Sequence, residues 1–133
     1  MLRASGSRKV PIAMEYIRIL FQLIVALGIL NVWLLRAGRS TSYRGSDAKN
    51  LREEFAAYGL PLWFYYFIGT LKITFALLLL IAIALPLVAL PAAVGMGLLM
   101  FGAFAMHLKV KDPISKAIPS LFVLALCVAI ALM

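Results

Sequence analysis

The chain has 133 residues, of which 65% are hydrophobic and 14% are charged, and its formal net charge is +8. Soluble domains are roughly 45–50% apolar and about 25% charged, so this composition excludes an ordinary soluble globular protein. The apolar residues form long blocks with basic residues at their ends, as expected of groups that meet lipid headgroups, and this pattern argues against binding to nucleic acid.

Four apolar blocks have the length of roughly 20 residues that crosses a bilayer. We predict a single transmembrane domain, residues 1–133, with membrane spans at about 17–35, 62–85, 87–108 and 114–133. The first span is expected to be a retained helix, because it is too long for a signal peptide and ends at Arg36 and Arg39. Pro86 and Pro91 predict a tight antiparallel reversal, and Pro119 is expected to kink the fourth span or delay its start.

The long connection between the first two spans, residues 36–61, predicts a further short helix. Its first half is polar and is expected to be loop. Its second half carries the signals that start and stop a helix, with Ser46 or Asp47 as N-cap, Gly59 just past the end and Pro61 as a stop. A helix is therefore predicted at about residues 47–58.

This short helix is predicted to be amphipathic. Leu51, Phe55 and Tyr58 form one apolar stripe, and most of the remaining surface is charged: Lys49, Arg52, Glu53 and Glu54. We expect the helix to lie in the plane of the lipid headgroups, with a capping helix on the bundle as the alternative. The predicted fold is all-α, a transmembrane four-helix bundle with a short interfacial amphipathic helix between helices 1 and 2.

Residues expected at the lipid interface lie near the span ends. Four aromatic residues between the first and second spans predict an aromatic belt: Trp33, Trp63, Tyr65 and Tyr66. Glu15, Arg18 and Gln22 share one face of the first helix, which indicates an interfacial ion pair or a headgroup site. Headgroup contacts are predicted for five basic residues: Arg18, Arg36, Arg39, Lys109 and Lys111.

The order and spacing of four stretches resemble the DoxX-like family of small four-helix membrane proteins. The stretches are IRILFQLIVALGI in the first span, EEFAAYGLP before the second, FIGTLKITFALLLL within the second and GMGLLMFGAFAMHLK in the third. Where family members often carry Glu, this chain has Lys72, so the role of an acidic group there is not carried over. The resemblance implies a four-helix bundle and an association with quinone-linked or thiol redox systems.

Lys72 is the most informative polar residue of the sequence. It lies about ten residues into the second span, roughly 15 Å deep at 1.5 Å per residue. A charge at such depth costs roughly 2.5–3.5 kcal/mol on insertion scales and usually faces the protein interior. Gly69 and Ala76 on the same side of the helix suit close helix packing. No Asp or Glu lies within a predicted span, so Lys72 must be satisfied by neutral acceptors of the chain, water, a ligand or another subunit.

His107 closes the third span and is the second candidate for chemistry. With Glu53 or Glu54 it would relay a proton, and with Tyr65 it would hydrogen-bond a quinone carbonyl. The alternative is an interfacial histidine near lipid phosphates. The predicted ligand-binding residues are therefore Lys72, Tyr65, His107, Glu53 and Glu54. Because the chain has one histidine and one cysteine, no metal site or catalytic constellation is predicted.

Three functions of different classes follow from these features. The first is an accessory or scaffold subunit, which contacts other membrane subunits or further copies of itself through apolar faces. The second is a quinone- or lipid-binding redox component, and the third is a small oligomeric transporter. Enzymatic activity is not expected, and quinone is the one cofactor considered. The predicted location is a lipid bilayer, namely the bacterial cytoplasmic membrane.

The basic residues predict an orientation. The loop side, where the first and third connections lie, carries eight basic residues: Arg36, Arg39, Arg44, Lys49, Arg52, Lys109, Lys111 and Lys116. The termini side carries four: Arg3, Arg8, Lys9 and Arg18. Positive charges concentrate in the cytoplasm, so both termini are expected outside. A C-terminal fusion to a reporter that fluoresces only after maturing in the cytoplasm should stay dark, and fluorescence would reverse the assignment.

Overall fold

The structure of the protein, a computed structural model, describes residues 11–35, 38 and 48–133. Four long apolar helices in it are long enough to cross a membrane. The helices are α1 (Ile12–Leu30, continued by a π-helical turn, Asn31–Leu35), α2 (Leu51–Ala57), α3 (Leu62–Ile81), α4 (Ala89–Lys109) and α5 (Ile114–Leu132). The described residues contain no strand. The predicted all-α fold with a short helix between the first two long ones is confirmed.

The helix ends differ from the predicted span ends in two places. Helix α1 begins at Ile12 instead of residue 17, and it therefore includes Glu15 and Arg18. Arg18 and one carboxylate oxygen of Glu15 are buried, so both residues lie on the inner face of the helix. Helix α3 ends at Ile81 instead of residue 85, and a 3₁₀ turn, Pro86–Val88, leads into α4. Glu15 is thus a carboxylate inside the first apolar helix, contrary to the expectation that none would lie there.

Prolines set the start of three of the long helices. Pro11, Pro61 and Pro113 each stand immediately before the first helical residue, with extended ψ angles of 142°, 160° and 149°. Proline fixes φ and lacks an N–H, so it suits a position that precedes the first turn. Pro119, in contrast, lies inside α5, which already begins at Ile114. Of the two effects predicted for Pro119, the delayed start of the fourth helix is therefore wrong.

The four long helices form a closed antiparallel ring in the order α1, α3, α4 and α5, in which α5 returns to α1. Small and medium-sized side chains fill the centre of this ring. The hydrophobic residues with no exposed surface are Val25, Ala26, Ala76, Leu79, Ala82, Ala92 and Met96. Small residues allow close backbone approach, which is the main source of helix association where lipid replaces water.

Helix α2 lies on the loop side of this ring. Leu51, Phe55 and Tyr58 are all buried, so the predicted apolar stripe is its packing face. The helix starts later than predicted, at Leu51, because Asn50 is the N-cap and its side chain accepts from the Glu53 N–H at 2.8 Å. The predicted N-caps, Ser46 and Asp47, lie outside the described residues.

Two helices end in the same hydrogen-bonded motif. After α2, Gly59 has φ +80° and the N–H of Leu60 donates to the Phe55 carbonyl at 3.0 Å. After α4, Lys111 has φ 60° and the N–H of Asp112 donates to the His107 carbonyl at 3.0 Å. Such Schellman motifs usually place glycine in the left-handed position. Gly59 meets that requirement, as predicted from its place after the helix, whereas the second motif carries a lysine there.

We predict that close contact between α3 and α4 depends on Gly95. A Cβ atom added there would overlap the ring of Phe75, whereas one added at Gly102 on the same helix would meet nothing within 4 Å. Gly95→Ala should therefore lower the stability by roughly 1–3 kcal/mol through overpacking. Gly102→Ala should be neutral or stabilise by up to about 1 kcal/mol. Thermal unfolding in detergent checks both, and equal effects of the two changes would contradict the packing.

Candidate functional site

Lys72 lies inside the bundle, as its neighbours in the sequence predicted. Its residue surface is 8% exposed, and it occupies the middle of α3. Helical side chains lean towards the helix N-terminus, which for α3 is the loop side. The Lys72 ammonium nitrogen lies 5.2 Å from the centroid of the Trp33 ring, a distance typical of a cation–π interaction. The first partner of the buried charge is therefore an aromatic face.

Trp33 reaches this position because of two local features. It lies in the π-helical turn that ends the first long helix, and its side chain is buried instead of facing the lipid interface. On α3, Gly69 leaves room for the indole, since an added Cβ would come within 2.7 Å of Trp33 Cζ3. Tyr65 stacks on the ring at 5.4 Å between centroids, and Phe55 meets it edge-on at 5.8 Å.

The predicted aromatic belt thus divides into two groups. Trp63 and Tyr66 are 67% and 57% exposed, as residues at a lipid interface would be. Trp33 and Tyr65 instead form an internal aromatic group with Phe55 of α2. This group connects the end of α1, the start of α3 and the packing face of α2.

Glu54 is an acidic residue that acts on Lys72 from outside the predicted spans. It lies on α2 and was predicted on the polar face of that helix, but it is buried. Its charge acts on Lys72 electrostatically. The Tyr58 hydroxyl donates to Glu54 Oε2 at 3.0 Å. The carboxylate therefore turns inwards, where the charge of Lys72 and the hydroxyl of Tyr58 both act on it.

His107 lies next to this group but with partners that differ from the predicted ones. Its Nδ1 lies 2.8 Å from Oδ2 of Asp112, and its ring meets that of Tyr58 edge-on at 5.9 Å. Neither Glu53 nor Tyr65 contacts it in a hydrogen bond among the described residues. Tyr58 instead lies between His107 and Glu54. We define Glu54, Tyr58, Lys72, His107 and Asp112 as the loop-side charge cluster.

The remaining predicted site residues have other positions. Glu53 caps α2, since its Oε1 accepts from the Lys49 N–H at 3.0 Å. Lys109 donates from Nζ to the Tyr58 carbonyl at 2.7 Å, where it stabilises the C-terminal end of α2. Lys111 is exposed on the loop side, whereas Arg18 is only 5% exposed. Arg36 and Arg39 lie outside the described residues.

A cleft of about 280 Å³ opens between α2 and the start of α3. We call it the aromatic cleft, and the residues that line it are Arg52, Glu53, Phe55, Ala56, Leu60, Leu62 and Tyr65. Of the five predicted ligand-binding residues, Tyr65 and Glu53 line this cleft, whereas Lys72, His107 and Glu54 do not. Among the described residues, no group of three or more His, Cys, Asp or Glu side chains is placed to hold a metal ion.

Two members of the charge cluster were missed at the level of sequence, although signals for both existed. Tyr58 follows Glu54 by four residues, the spacing at which helical side chains meet. Asp112 precedes Pro113 just after the end of α4. A helix end of this kind folds the following residue back towards the last turn, which is where His107 lies.

Comparison with known proteins identifies a family. The sequence model described as the DoxX-like family matches residues 22–130. The match spans α2, α3 and α4, most of α5 and the C-terminal part of α1. No curated protein and no solved structure matches the chain.

We predict that Lys72 and Glu54 are energetically coupled. Lys72→Met removes a charge that acts on the buried Glu54, and the loss of one partner of a fully buried ion pair costs roughly 3–5 kcal/mol. We expect a smaller loss, on the order of 1–3 kcal/mol, because Glu54 keeps the hydrogen bond from Tyr58.

The double variant Lys72→Met/Glu54→Gln is the control for this coupling, since it removes both charges and should recover part of the loss. The coupling energy is obtained from reversible unfolding of the wild type, Lys72→Met, Glu54→Gln and the double variant in one detergent. Additive effects of the two substitutions would show that the charges do not interact.

Proposed function

The chain belongs to the DoxX-like family, as its sequence predicted, and we propose that it is an accessory or scaffold subunit of a membrane complex. The role is non-catalytic: the chain presents a preformed surface on the loop side to another membrane subunit. On the family resemblance, we propose the bacterial cytoplasmic membrane as its location. The protein itself is a multi-pass integral membrane protein.

The observation that carries this proposal is the attachment of α2. An isolated helix of this length is unstable in water, so its order must come from its contacts. Leu51, Phe55 and Tyr58 are buried, Lys109 donates to the Tyr58 carbonyl, and the charge of Glu54 acts on Lys72. Seven residues are thus held by several independent interactions. A surface fixed before binding loses less entropy when a partner binds, so this rigidity favours recognition.

The outer face of α2 supplies the proposed contact surface. Lys49, Arg52, Ala56 and Ala57 are exposed on it. The carboxylate of Glu53 accepts the capping hydrogen bond from Lys49 N–H. Arg52 forms no ion pair with any described residue. A cation beside small residues suits a partner that carries an acidic or carbonyl-rich segment at the same membrane level.

An apolar groove between α4 and α5 offers a second contact within the membrane. It has a volume of about 340 Å³, and its lining includes Gly97, Leu98, Phe101 and Leu124. Glycine at the base of such a groove lets another helix or an acyl chain approach closely. A partner subunit would contact this groove and the outer face of α2 at the same time. A second copy of the chain that packed against α4 and α5 would occupy the same groove and exclude the partner from it.

The aromatic cleft favours one other function, a quinone- or lipid-binding component. Phe55 and Tyr65 offer ring faces and Arg52 offers a cation, which together suit a molecule with a flat or apolar body and a polar head. A volume of about 280 Å³ is close to the lower limit of roughly 300 Å³ for small-molecule sites. The cleft would therefore hold one ring or one headgroup.

We predict that the tagged chain, purified gently from its native membrane, carries another membrane protein in near-stoichiometric amount. Arg52→Glu should reduce that amount at least about tenfold, because the reversed charge would repel an acidic partner with an energy of about 1.4 kcal/mol or more. Mass spectrometry of the purified complex measures the ratio of subunits, and Arg52→Lys is the matched control that keeps the charge.

Ala56→Leu separates the two candidate functions, because the larger side chain fills the aromatic cleft without changing charge. Quinones and lipids extracted from the same preparations are measured in parallel. A bound quinone or lipid that Ala56→Leu removes, in the absence of a stoichiometric subunit, would replace the scaffold function with the ligand-binding one. Purification of every variant with neither subunit nor ligand would contradict both.

A further inference from the structure

The inner face of α1 carries a second group of polar residues at the opposite end of the bundle. Glu15, Arg18 and Gln22 follow one another at spacings of three and four residues, so they share one side of the helix. Gln22 has no exposed surface, and Arg18 is 5% exposed. These residues lie on the termini side and contribute nothing to the loop-side charge cluster.

The Gln22 side chain caps the end of α3. Its Nε2 donates to the Leu79 carbonyl at 2.9 Å. The neighbouring carbonyls of Leu78, Leu80 and Ile81 accept backbone N–H groups of the following turn. Gln22 therefore satisfies a carbonyl in the last turn of α3, where intrahelical donors run out. This bond also fixes the orientation of the Gln22 amide, because the reversed orientation would place Oε1 against the carbonyl oxygen of Leu79.

The fixed amide directs Oε1 of Gln22 away from α3. This atom is buried and has no hydrogen-bond partner among the described residues, and the same holds for Oε1 of Glu15. A buried acceptor without a donor costs roughly 1–3 kcal/mol. Two such acceptors on one face require a donor that the described residues do not supply.

The charges of this face decide which kind of donor fits. Glu15 and Arg18 have opposite signs, so the face is neutral overall and attracts neither an anion nor a cation strongly. The acceptors are two helical turns apart, about 10 Å along the axis at 1.5 Å per residue. Small neutral donors that form a short chain suit that separation, and water is the molecule of this class that polar interior sites commonly bind.

We propose that the inner face of α1 from Glu15 to Gln22 is a water-binding site, which fills from the termini side and ends at Gln22. Helix α1 extends past the level where α3 ends, because Gln22 lies level with Leu79 and ten residues of α1 precede it. Beyond Gln22 the interior is apolar: Val25, Ala26 and Leu79 have no exposed surface. Water stops there because an apolar interior offers it no partners.

Cysteine accessibility tests this proposal in Cys127→Ala chains, which lack the one native thiol. Cysteines are placed by Gln22→Cys and, as the matched control one turn further in, by Ala26→Cys. The probe is a small water-soluble methanethiosulfonate added to the protein in nanodiscs. We expect the first cysteine to react at least about tenfold faster than the second, since thiolate attack needs access of water and reagent. Equal, slow modification of both would overturn the site.

Gln22→Cys also removes the cap of α3, so the unmodified chain provides an independent measurement. Water-edited solid-state NMR of the wild type in lipid detects magnetisation transferred from water to nearby protons. The Gln22 side-chain amide should receive it quickly and the Val25 methyl groups slowly. Slow transfer to both groups would overturn the proposal whatever the fate of the variant, whereas fast transfer to Gln22 alone supports it.

Discussion

A lysine charge inside an apolar bundle is the constraint on which the loop side of this protein depends. The ammonium of Lys72 cannot remain alone there, because a buried charge needs either a counter-charge or a polar surface. Trp33 supplies an aromatic face, which requires the π-helical turn that ends α1 and the absence of a side chain at Gly69. Glu54 supplies the opposite charge, which requires α2 to pack against α3. Features of three helices thus meet at one side chain.

Side chains complete the hydrogen bonding of helix ends on both sides of the membrane. Lys109 donates to a carbonyl at the end of α2, and Gln22 donates to one at the end of α3. Exposed carbonyls at helix ends are solvated by water in soluble proteins, but in lipid the protein must provide the donor. Polar residues therefore accumulate at the two ends of the bundle, and the interior between them, apart from Lys72, is filled mainly by apolar residues.

Much of the fold could be predicted from the sequence, because the length of an apolar block and the position of its prolines determine a membrane helix almost alone. The apolar stripe of α2 and the inward direction of Lys72 followed from the same helical periodicity. The partners of the buried charges did not, because they come from elements far apart in the chain. Glu54 was assigned to the polar face of α2, and only tertiary packing turns it inwards. Trp33 was assigned to the interface, because periodicity does not predict a π-helical turn.

The contacts around α2 also connect its outer and inner faces. Phe55 lines the aromatic cleft on one side and contacts Trp33 on the other. The ammonium of Lys72 lies over the ring of Trp33. A molecule bound in the cleft would press on the aromatic group that solvates the buried charge. If occupation of the cleft weakened the interaction of Glu54 with Lys72, linkage would require that a loss of this interaction change the affinity of the cleft by the same free energy. The polar cluster is buried, yet it determines how firmly the surface above it is held.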